Sequence, residues 1–264
     1  MLANPMNRSY AQHEVYVGSF GYYLHPSIEL PKKDIRIACF GQGTSLFLEE
    51  LASQLPKTAK LHVFDSQAKS LRPSWNVSSN ITVHAVDERQ SFPEELHGIF
   101  DVVVARLLAG TLVGNDWRSA TDNFVKLLKP GGWLQWQEPD DVSRLAVQED
   151  DSGAQTRALQ AITHEAIANR AVRECLDYPS KNLEDIFRKS GLRGVGRDVV
   201  ASDRLPHLSY TGALVALHGL LDGFGMDRQT KEGNSVRLRE CMEDVESGAY
   251  LRYNLLCFIG QKSL

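Results

Sequence analysis

The sequence lacks the features that mark metal sites, membrane spans and nucleic-acid binding. Its four cysteines form no Cys-x-x-Cys pair, so we expect neither a zinc site nor a disulfide framework. No run comes near the roughly 18 apolar residues that a membrane-spanning helix needs. The net charge of -4 argues against a nucleic-acid partner, because phosphate binding requires a surplus of lysine and arginine. These absences predict a protein that binds no metal, no membrane and no nucleic acid.

The bulk composition is that of an ordinary globular protein, with 42% hydrophobic and 23% charged residues. The opening stretch MLANPMNRSYAQHE has no apolar core like that of a signal peptide, which predicts a cytoplasmic protein. A chain of 264 residues buries enough surface to fold without covalent or metal cross-links. No repeat or linker divides it, so we predict a single domain over residues 1–264.

Short apolar runs alternate with helix-like segments in the first half of the chain. The predicted strands are residues 35–40, 61–64, 81–86, 100–105 and 133–136, and the predicted helices are 46–55 and 117–128. The motif KPGG is a strong helix breaker, so it is predicted to stop the second of these helices. Strands that alternate with helices imply parallel crossovers, which predicts a doubly wound α/β sheet.

Helical patterns dominate the second half. The predicted helices there are residues 151–173, 182–190, 208–224 and 235–247, and the predicted strands are 195–201 and the tail YLRYNLLCFIG. Cys257, within that tail, is expected to be a buried, reduced thiol.

A glycine turn and two acidic residues form the pattern that carries chemistry. Gly41 and Gly43 lie between the first strand and the first helix, where glycine lets the backbone approach a nucleotide-like ligand. Asp65 follows the second strand, at a spacing typical of an acid that binds ribose hydroxyls. Asp87 follows the third strand and is placed to meet an adenine edge. Neither a phosphate-binding loop nor the three-glycine dinucleotide fingerprint is present.

Four segments resemble successive motifs of the class I S-adenosylmethionine (SAM) methyltransferases: IACFGQGTSLFLEELASQLP, HVFDSQ, FPEELHGIFDVVVARLL and LLKPGGWLQWQEPD. They are similar above all to regulator-like methyltransferases of fungal secondary metabolism. The resemblance implies a Rossmann-like fold with a mainly parallel, seven-stranded sheet. It further implies an N-terminal helical lid at residues 1–30, a SAM-binding half at 31–140, and substrate-cap helices with closing strands at 141–264.

The same resemblance implies SAM as the cofactor and a set of residues that bind it. Gly41 and Gly43 would flank the methionine moiety, Asp65 would hold the ribose, and Arg106 would border the sulfonium. The full expected set is Tyr22, Gly41, Gly43, Ser45, Asp65, Ser66, Asp87, Glu88, Arg106 and Leu107.

Two positions depart from the family pattern. Cys39 stands where the family has an acid, and Ser45 stands where it usually has a third glycine. Without the acid, the SAM ammonium loses a partner. A hydrogen bond to a charged group contributes roughly 1.5–3 kcal/mol, so the affinity for SAM is expected to fall about tenfold or more.

Three residues are candidates for a catalytic base. His25, in YYLHPS, is suited either to act on the substrate or to anchor its own loop. Glu138 follows the fifth strand and therefore lies at the edge where ligands bind in open α/β folds. His218 lies on an apolar helix that would roof a substrate, where a structural histidine is the alternative interpretation.

These observations favour SAM-dependent methyl transfer to a small natural-product intermediate, with oxygen as the expected acceptor. An alternative is a methyltransferase-like cyclase or pericyclase that transfers no methyl group and uses SAM, if at all, as an electrostatic or structural cofactor. A non-catalytic partner protein is a third alternative. The partner in the favoured reading is a small molecule, and a homodimer stays open.

Overall fold

The computed structural model describes residues 5–41, 44–65, 79–148, 155–218 and 231–264. Within these ranges helices and strands alternate through the first half, and helices dominate the second. The helices are α1 Pro5–Phe20, α2 Thr44–Gln54, α3 Asp116–Leu127, α4 Arg157–Ala168, α5 Arg170–Leu176, α6 Tyr178–Lys189, α7 Pro206–His218 and α8 Lys231–Glu246. The strands are β1 Arg36–Gly41, β2 Lys60–Phe64, β3 Ile81–His84, β4 Phe100–Arg106, β5 Leu128–Gln148, β6 Leu192–Ala201 and β7 Ala249–Lys262.

The strands form one seven-stranded sheet in the order β3-β2-β1-β4-β5-β7-β6. The pairs β1–β2, β1–β4, β2–β3 and β4–β5 are parallel. Strand β7 is antiparallel to β5, because Cys257 hydrogen-bonds Gln137 while Gln261, further along β7, donates to the carbonyl of Gly131, which is earlier in β5. The predicted doubly wound, mainly parallel sheet is therefore confirmed.

The motif KPGG ends α3 as predicted, but it does not separate the helix from the strand. Strand β5 begins at Leu128, directly after α3, and not at residue 133 as the sequence predicted. Phe100 pairs with Leu128 and Val102 pairs with Trp133, so the residues between them bulge out of the ladder. Gly131 adopts a φ of 77°, a conformation that glycine tolerates at such a bulge.

Strand β5 also runs further than predicted, to Gln148. The predicted helix over residues 151–173 is wrong in its bounds, because two separate helices, α4 and α5, meet at Asn169. The side chain of Asn169 accepts a hydrogen bond from the amide of Val172 at 3.2 Å and so caps the second helix. The predicted helix 208–224 corresponds to α7 up to His218, and the rest of that prediction lies outside the described residues.

The chain divides into two compact units. One comprises residues 22–138, 181–198 and 256–264. Its core includes an aromatic cluster in which Phe40 stacks on Phe64 at 4.6 Å and contacts Phe124 at 4.4 Å, measured between ring centroids. This cluster fastens α3 to one face of the sheet, because Phe124 belongs to α3 and also contacts Trp136 of β5.

The other unit comprises residues 1–21, 139–180 and 199–255. Helix α1 packs on α7, where Gly212 lies against Val15. The carboxylate of Asp244 in α8 accepts hydrogen bonds from the first amides of α4, at 2.7 Å from Ala158 and 3.0 Å from Leu159. This contact satisfies amides that have no partner within their own helix. The single domain over 1–264, the lid at 1–30 and the boundary at 140 stay predictions.

Within the described ranges, no helix is both long and apolar enough to cross a membrane. The same residues contain no group of three or more histidine, cysteine, aspartate or glutamate side chains placed to hold a metal ion.

Candidate functional site

The parallel strands β1, β2, β3 and β4 bring the predicted cofactor-binding residues to one edge of the sheet. Gly41 at the end of β1 is the register partner of Arg106 at the end of β4. Asp65 directly follows β2, and its amide donates to the carbonyl of His84, the last residue of β3, at 3.1 Å. Asp87 lies three residues beyond that strand. Because parallel strands end at the same edge, these residues form one contiguous rim.

Only glycine fits at position 41 of the rim. Its φ is 95°, in the left-handed region that favours glycine. A Cβ atom built on Gly41 would stand 1.8 Å from the carbonyl oxygen of Arg106. Gly41, the last residue of β1, therefore lies in direct backbone contact with the end of β4, which explains why the sequence has a glycine at this position.

The acidic residues at this edge of the sheet differ in their hydrogen bonds and in their burial. Asp87 is held by Arg89, whose Nη2 and Nε atoms lie 2.6 and 2.9 Å from its carboxylate oxygens. This arginine lowers the pKa of Asp87. Glu88 accepts a hydrogen bond from Thr111 Oγ1 at 3.2 Å. Asp65 is half-buried. Carboxylates at the ends of β2 and β3 fit a ligand with ribose hydroxyls and an adenine amino group.

Arg106 and Cys39 make the part of the rim near Gly41 positively charged. The Arg106 side chain is 1% exposed, donates through Nε to Gln137 Oε1 at 3.0 Å, and lies 4.7 Å from the Phe47 ring centroid. Cys39 is fully buried, and burial raises the pKa of its thiol although the charge of Arg106 opposes that shift. Where the family pattern places an acid, this chain therefore has a neutral thiol beside a cation.

His25 is tied into the structure through both ring nitrogens. Nδ1 accepts a hydrogen bond from the amide of Ser27 at 3.1 Å, which assigns the proton of the neutral ring to Nε2. Nε2 lies 3.2 Å from the Asp198 carboxylate, which also accepts a hydrogen bond from the Tyr22 hydroxyl at 2.8 Å. In this arrangement His25 anchors its own loop and presents no free lone pair to a substrate.

The segment around His25 has further anchors on the sheet and on α2. The His25 amide donates to Gln135 Oε1 at 2.7 Å, and Gln135 Nε2 donates to the carbonyl of Tyr23 at 2.8 Å. The Tyr23 hydroxyl donates to Glu50 of α2 at 2.6 Å.

Glu138 is fully buried and accepts hydrogen bonds from three N–H groups. Its Oε1 atom lies 2.7 Å from the amide of Leu108 and 2.8 Å from Trp136 Nε1, and its Oε2 atom lies 3.3 Å from the amide of Ala109. The carboxylate is thus directed at the loop that follows β4. Leu107, the first residue of this loop, is 8% exposed and has a positive φ of 57°.

Several predicted site residues cannot be placed with their contacts. Gly43 and Ser66 lie outside the described residues. Ser45 lies in α2 and His218 ends α7, but their side chains lie outside the described part of the structure. The roles predicted for all these residues stay predictions.

The sequence analysis missed the buried polar residues of β5 that hydrogen-bond the candidate site residues. Gln135 and Gln137 are buried in β5, at 0% and 2% exposure. The signal was present, because two amides in the apolar run WLQWQE must find hydrogen-bond partners when buried. Asp198 gave no such signal in its polar strand. Cys257 is free and buried as predicted, and burial raises its pKa to about 12.

Residues 26–196 match the family described as "Methyltransferase domain". The match covers more than half of the chain and includes every residue of the rim described above. The chain belongs to this family, and its fold is that of the class I SAM-dependent methyltransferases. The family expected from the sequence is thereby confirmed.

Two curated fungal proteins are similar to this chain. One is the methyltransferase grgD from Penicillium sp, 34% identical over 50% of this chain and 48% of its own length. The other is the N-methyltransferase verN from Clonostachys rogersoniana, 29% identical over 53% of this chain and 50% of its own length. The chain thus matches about half the length of these relatives.

Among solved structures, a Haloferax volcanii methyltransferase in complex with its Trm112 activator superimposes with a TM-score of 0.54. The sequences are 14% identical, and the match covers 98% of this chain and 95% of that chain. At this identity the likeness shows the fold alone.

Proposed function

We propose that this chain transfers the methyl group of SAM to a small organic acceptor. The observation that carries the proposal is the rim of Gly41, Asp65 and Arg106, which lies within the part of the chain that matches the methyltransferase family. The similarity to grgD and verN supports an acceptor of the kind found in fungal secondary metabolism.

When bound, SAM supplies a methyl group activated by its positively charged sulfur. The chain's own residues bind and orient it. Gly41 would leave room for the methionine moiety, Asp65 would accept hydrogen bonds from the ribose hydroxyls, and Glu88 would lie beside the adenine. Leu107 and Arg106 border the place of the reacting sulfur.

Arg106 places a positive charge near Gly41, where the family pattern places a negative one. A neutral Cys39 gives the SAM ammonium no carboxylate partner, whereas the buried guanidinium attracts the SAM carboxylate. A charge-assisted hydrogen bond to that carboxylate offsets the loss of the acid, because both contribute on the order of 1.5–3 kcal/mol. This arrangement supports SAM binding despite the degenerate motif.

The acceptor is proposed to be a nucleophile that needs no side-chain base from His25 or Glu138. Both nitrogens of His25 and both oxygens of Glu138 are engaged in hydrogen bonds. An amine nitrogen reacts without such a base, and so does an oxygen that is already ionised in water. In either case the enzyme contributes mainly proximity and alignment. Oxygen, expected from the sequence, stays a prediction, and verN is named an N-methyltransferase.

The test combines SAM carrying a trideuterated methyl group with a panel of small amines, phenols and carboxylic acids. We expect S-adenosylhomocysteine together with a product heavier by one labelled methyl group, and fragmentation identifies the methylated atom. Product formation without S-adenosylhomocysteine would support the cyclase alternative and overturn the proposal.

A matched pair of variants links the activity to the rim. Asp65→Asn removes a carboxylate from the rim and is expected to weaken SAM binding roughly tenfold, as the loss of a charged hydrogen bond implies. Asp185→Asn makes the same chemical change on the exposed surface of α6 and is expected to leave binding unchanged. Equal affinities in the two variants would contradict the placement of SAM at this rim.

A further inference from the structure

We propose that Glu138 is a positioning residue that holds the backbone of residues 107–109 in the shape needed beside the SAM sulfur. This inference rests on the proposed function. It replaces the role of catalytic base that the sequence suggested for Glu138.

The contacts of Glu138 define an acceptor of hydrogen bonds. The amides of Leu108 and Ala109 and the indole nitrogen of Trp136 are donors only, and all three are directed at its carboxylate. An ionised carboxylate, which only accepts, satisfies all three together. A base must instead present an unoccupied oxygen to the substrate, and the carboxylate of Glu138 is fully buried under the loop.

The loop needs such an anchor because its first residue is strained. Leu107 is one of the two non-glycine residues with a positive φ among the described residues, a conformation that costs on the order of 1–2 kcal/mol. Its own amide donates to the carbonyl of Gln137 at 3.0 Å. The next two amides donate to Glu138, so the chain is held at three successive residues just after β4.

The loop that follows β4 lies directly against Gly41. The carbonyl oxygen of Arg106, immediately before the loop, would stand 1.8 Å from a Cβ atom at Gly41. The Leu108 side chain would stand 3.0 Å from the same atom. Displacement of the loop therefore changes both sides of the place proposed for the methionine moiety and the sulfur.

The experiment uses the full chain with Glu138→Gln, which keeps the shape of the side chain but removes its charge. The new amide group must direct N–H atoms at one of the three donors. We expect the amides of Leu108 and Ala109 to exchange with deuterium on the order of tenfold faster, and the dissociation constants of SAM and S-adenosylhomocysteine to rise roughly tenfold.

The matched control is Asp101→Asn. Asp101 is a carboxylate at the opposite end of β4, where it accepts hydrogen bonds from the amide of Arg36 at 2.7 Å and from Lys129 Nζ at 2.6 Å. Its loss is expected to lower the melting temperature without changing the affinity for SAM. A comparable loss of affinity in this control would reduce the role of Glu138 to general stability and overturn the proposal.

Three further comparisons separate the outcomes. If Glu138 is a base, Glu138→Gln keeps the affinity for SAM and loses methyl transfer together with its dependence on pH, which contradicts positioning. If Glu138→Gln does not fold, Glu138→Asp keeps the charge but shortens the reach, and wild-type affinity in that variant overturns the proposal. If the wild type neither binds SAM nor transfers a methyl group, the proposed function fails, and hydrogen exchange at Leu108 and Ala109 still tests the anchoring of the loop.

Discussion

Replacing Gly41 by alanine tests whether the end of β1 lies as close to β4 as described above. The added methyl group meets two obstacles, namely a φ of 95° and a carbonyl oxygen 1.8 Å away. The backbone conformation costs on the order of 1–2 kcal/mol for a non-glycine residue. The overlap with Arg106 forces β1 and β4 apart, which costs typically about 1–3 kcal/mol. The free energy of unfolding is therefore expected to fall by roughly 2–5 kcal/mol.

Gly191→Ala is the matched control in the same unit. Gly191 has a φ of 84°, and no heavy atom lies within 4 Å of the Cβ that alanine would add. The control therefore isolates the backbone term of about 1–2 kcal/mol. For a chain of this size, each kcal/mol lowers the melting temperature by roughly 2–4 °C. We expect the Gly41 variant to melt clearly below the control.

Thermal unfolding and isothermal titration with SAM measure the two consequences separately. The Gly41 variant is expected to lose at least about tenfold in SAM affinity, because a loss of about 1.4 kcal/mol in binding free energy is enough for that change. The control is expected to bind as the wild type does. Equal melting temperatures in the two variants, or unchanged SAM binding in Gly41→Ala, would refute the close contact between Gly41 and β4.

Three further predictions concern acid, thiols and the segment at residues 22–27. Burial, reinforced by neighbouring positive charge, lowers the pKa of His62 from 6.5 to about 4. The unfolded chain therefore binds the proton more tightly, and because solvent screens this partly exposed ring, stability is expected to fall by about 1 kcal/mol from pH 7 to pH 5. Urea unfolding should show this loss in the wild type and in His207→Gln, a change at an exposed histidine, but a smaller one in His62→Gln. Iodoacetamide is expected to modify Cys175 first in the native protein, because the other three cysteines are buried; mass spectrometry that finds them modified equally fast would contradict their burial. Asp198→Asn is expected to speed hydrogen exchange of residues 22–27 severalfold with little change in melting temperature, since a half-exposed hydrogen-bonded pair contributes only about 1 kcal/mol. Unchanged exchange would exclude Asp198 as an anchor.

Strands β1 and β4 were predictable because they are buried on both faces. A buried parallel strand has an almost continuous apolar sequence, as in the run FDVVVA, and its bounds follow from that run. Strand β5 was predicted far too short because it continues through the polar residues after Trp136. Its length depends on neighbouring strands that local sequence does not reveal.

The candidate site was predictable where the backbone itself imposes a residue type. Gly41 stands out because its conformation and its close contact exclude any side chain. Glu138 was found as a candidate base, but its hydrogen-bond partners could not be foreseen, because the amides of Leu108 and Ala109 lie about 30 residues earlier in the chain. The spacing of chemical groups along a sequence does not show which donors a buried carboxylate meets. Asp198 escaped notice for the same reason.

The order of the strands has a consequence for synthesis on the ribosome. Strand β7 lies between β5 and β6 although it follows both in the chain. Until residues 249–262 have left the exit tunnel, β5 and β6 lack their shared neighbour and expose unpaired amides and carbonyls. Such nascent edges invite pairing with other chains, and long-range pairing is also slow to form. The insertion of β7 between β5 and β6 is thus the step that covers the facing edges of both strands.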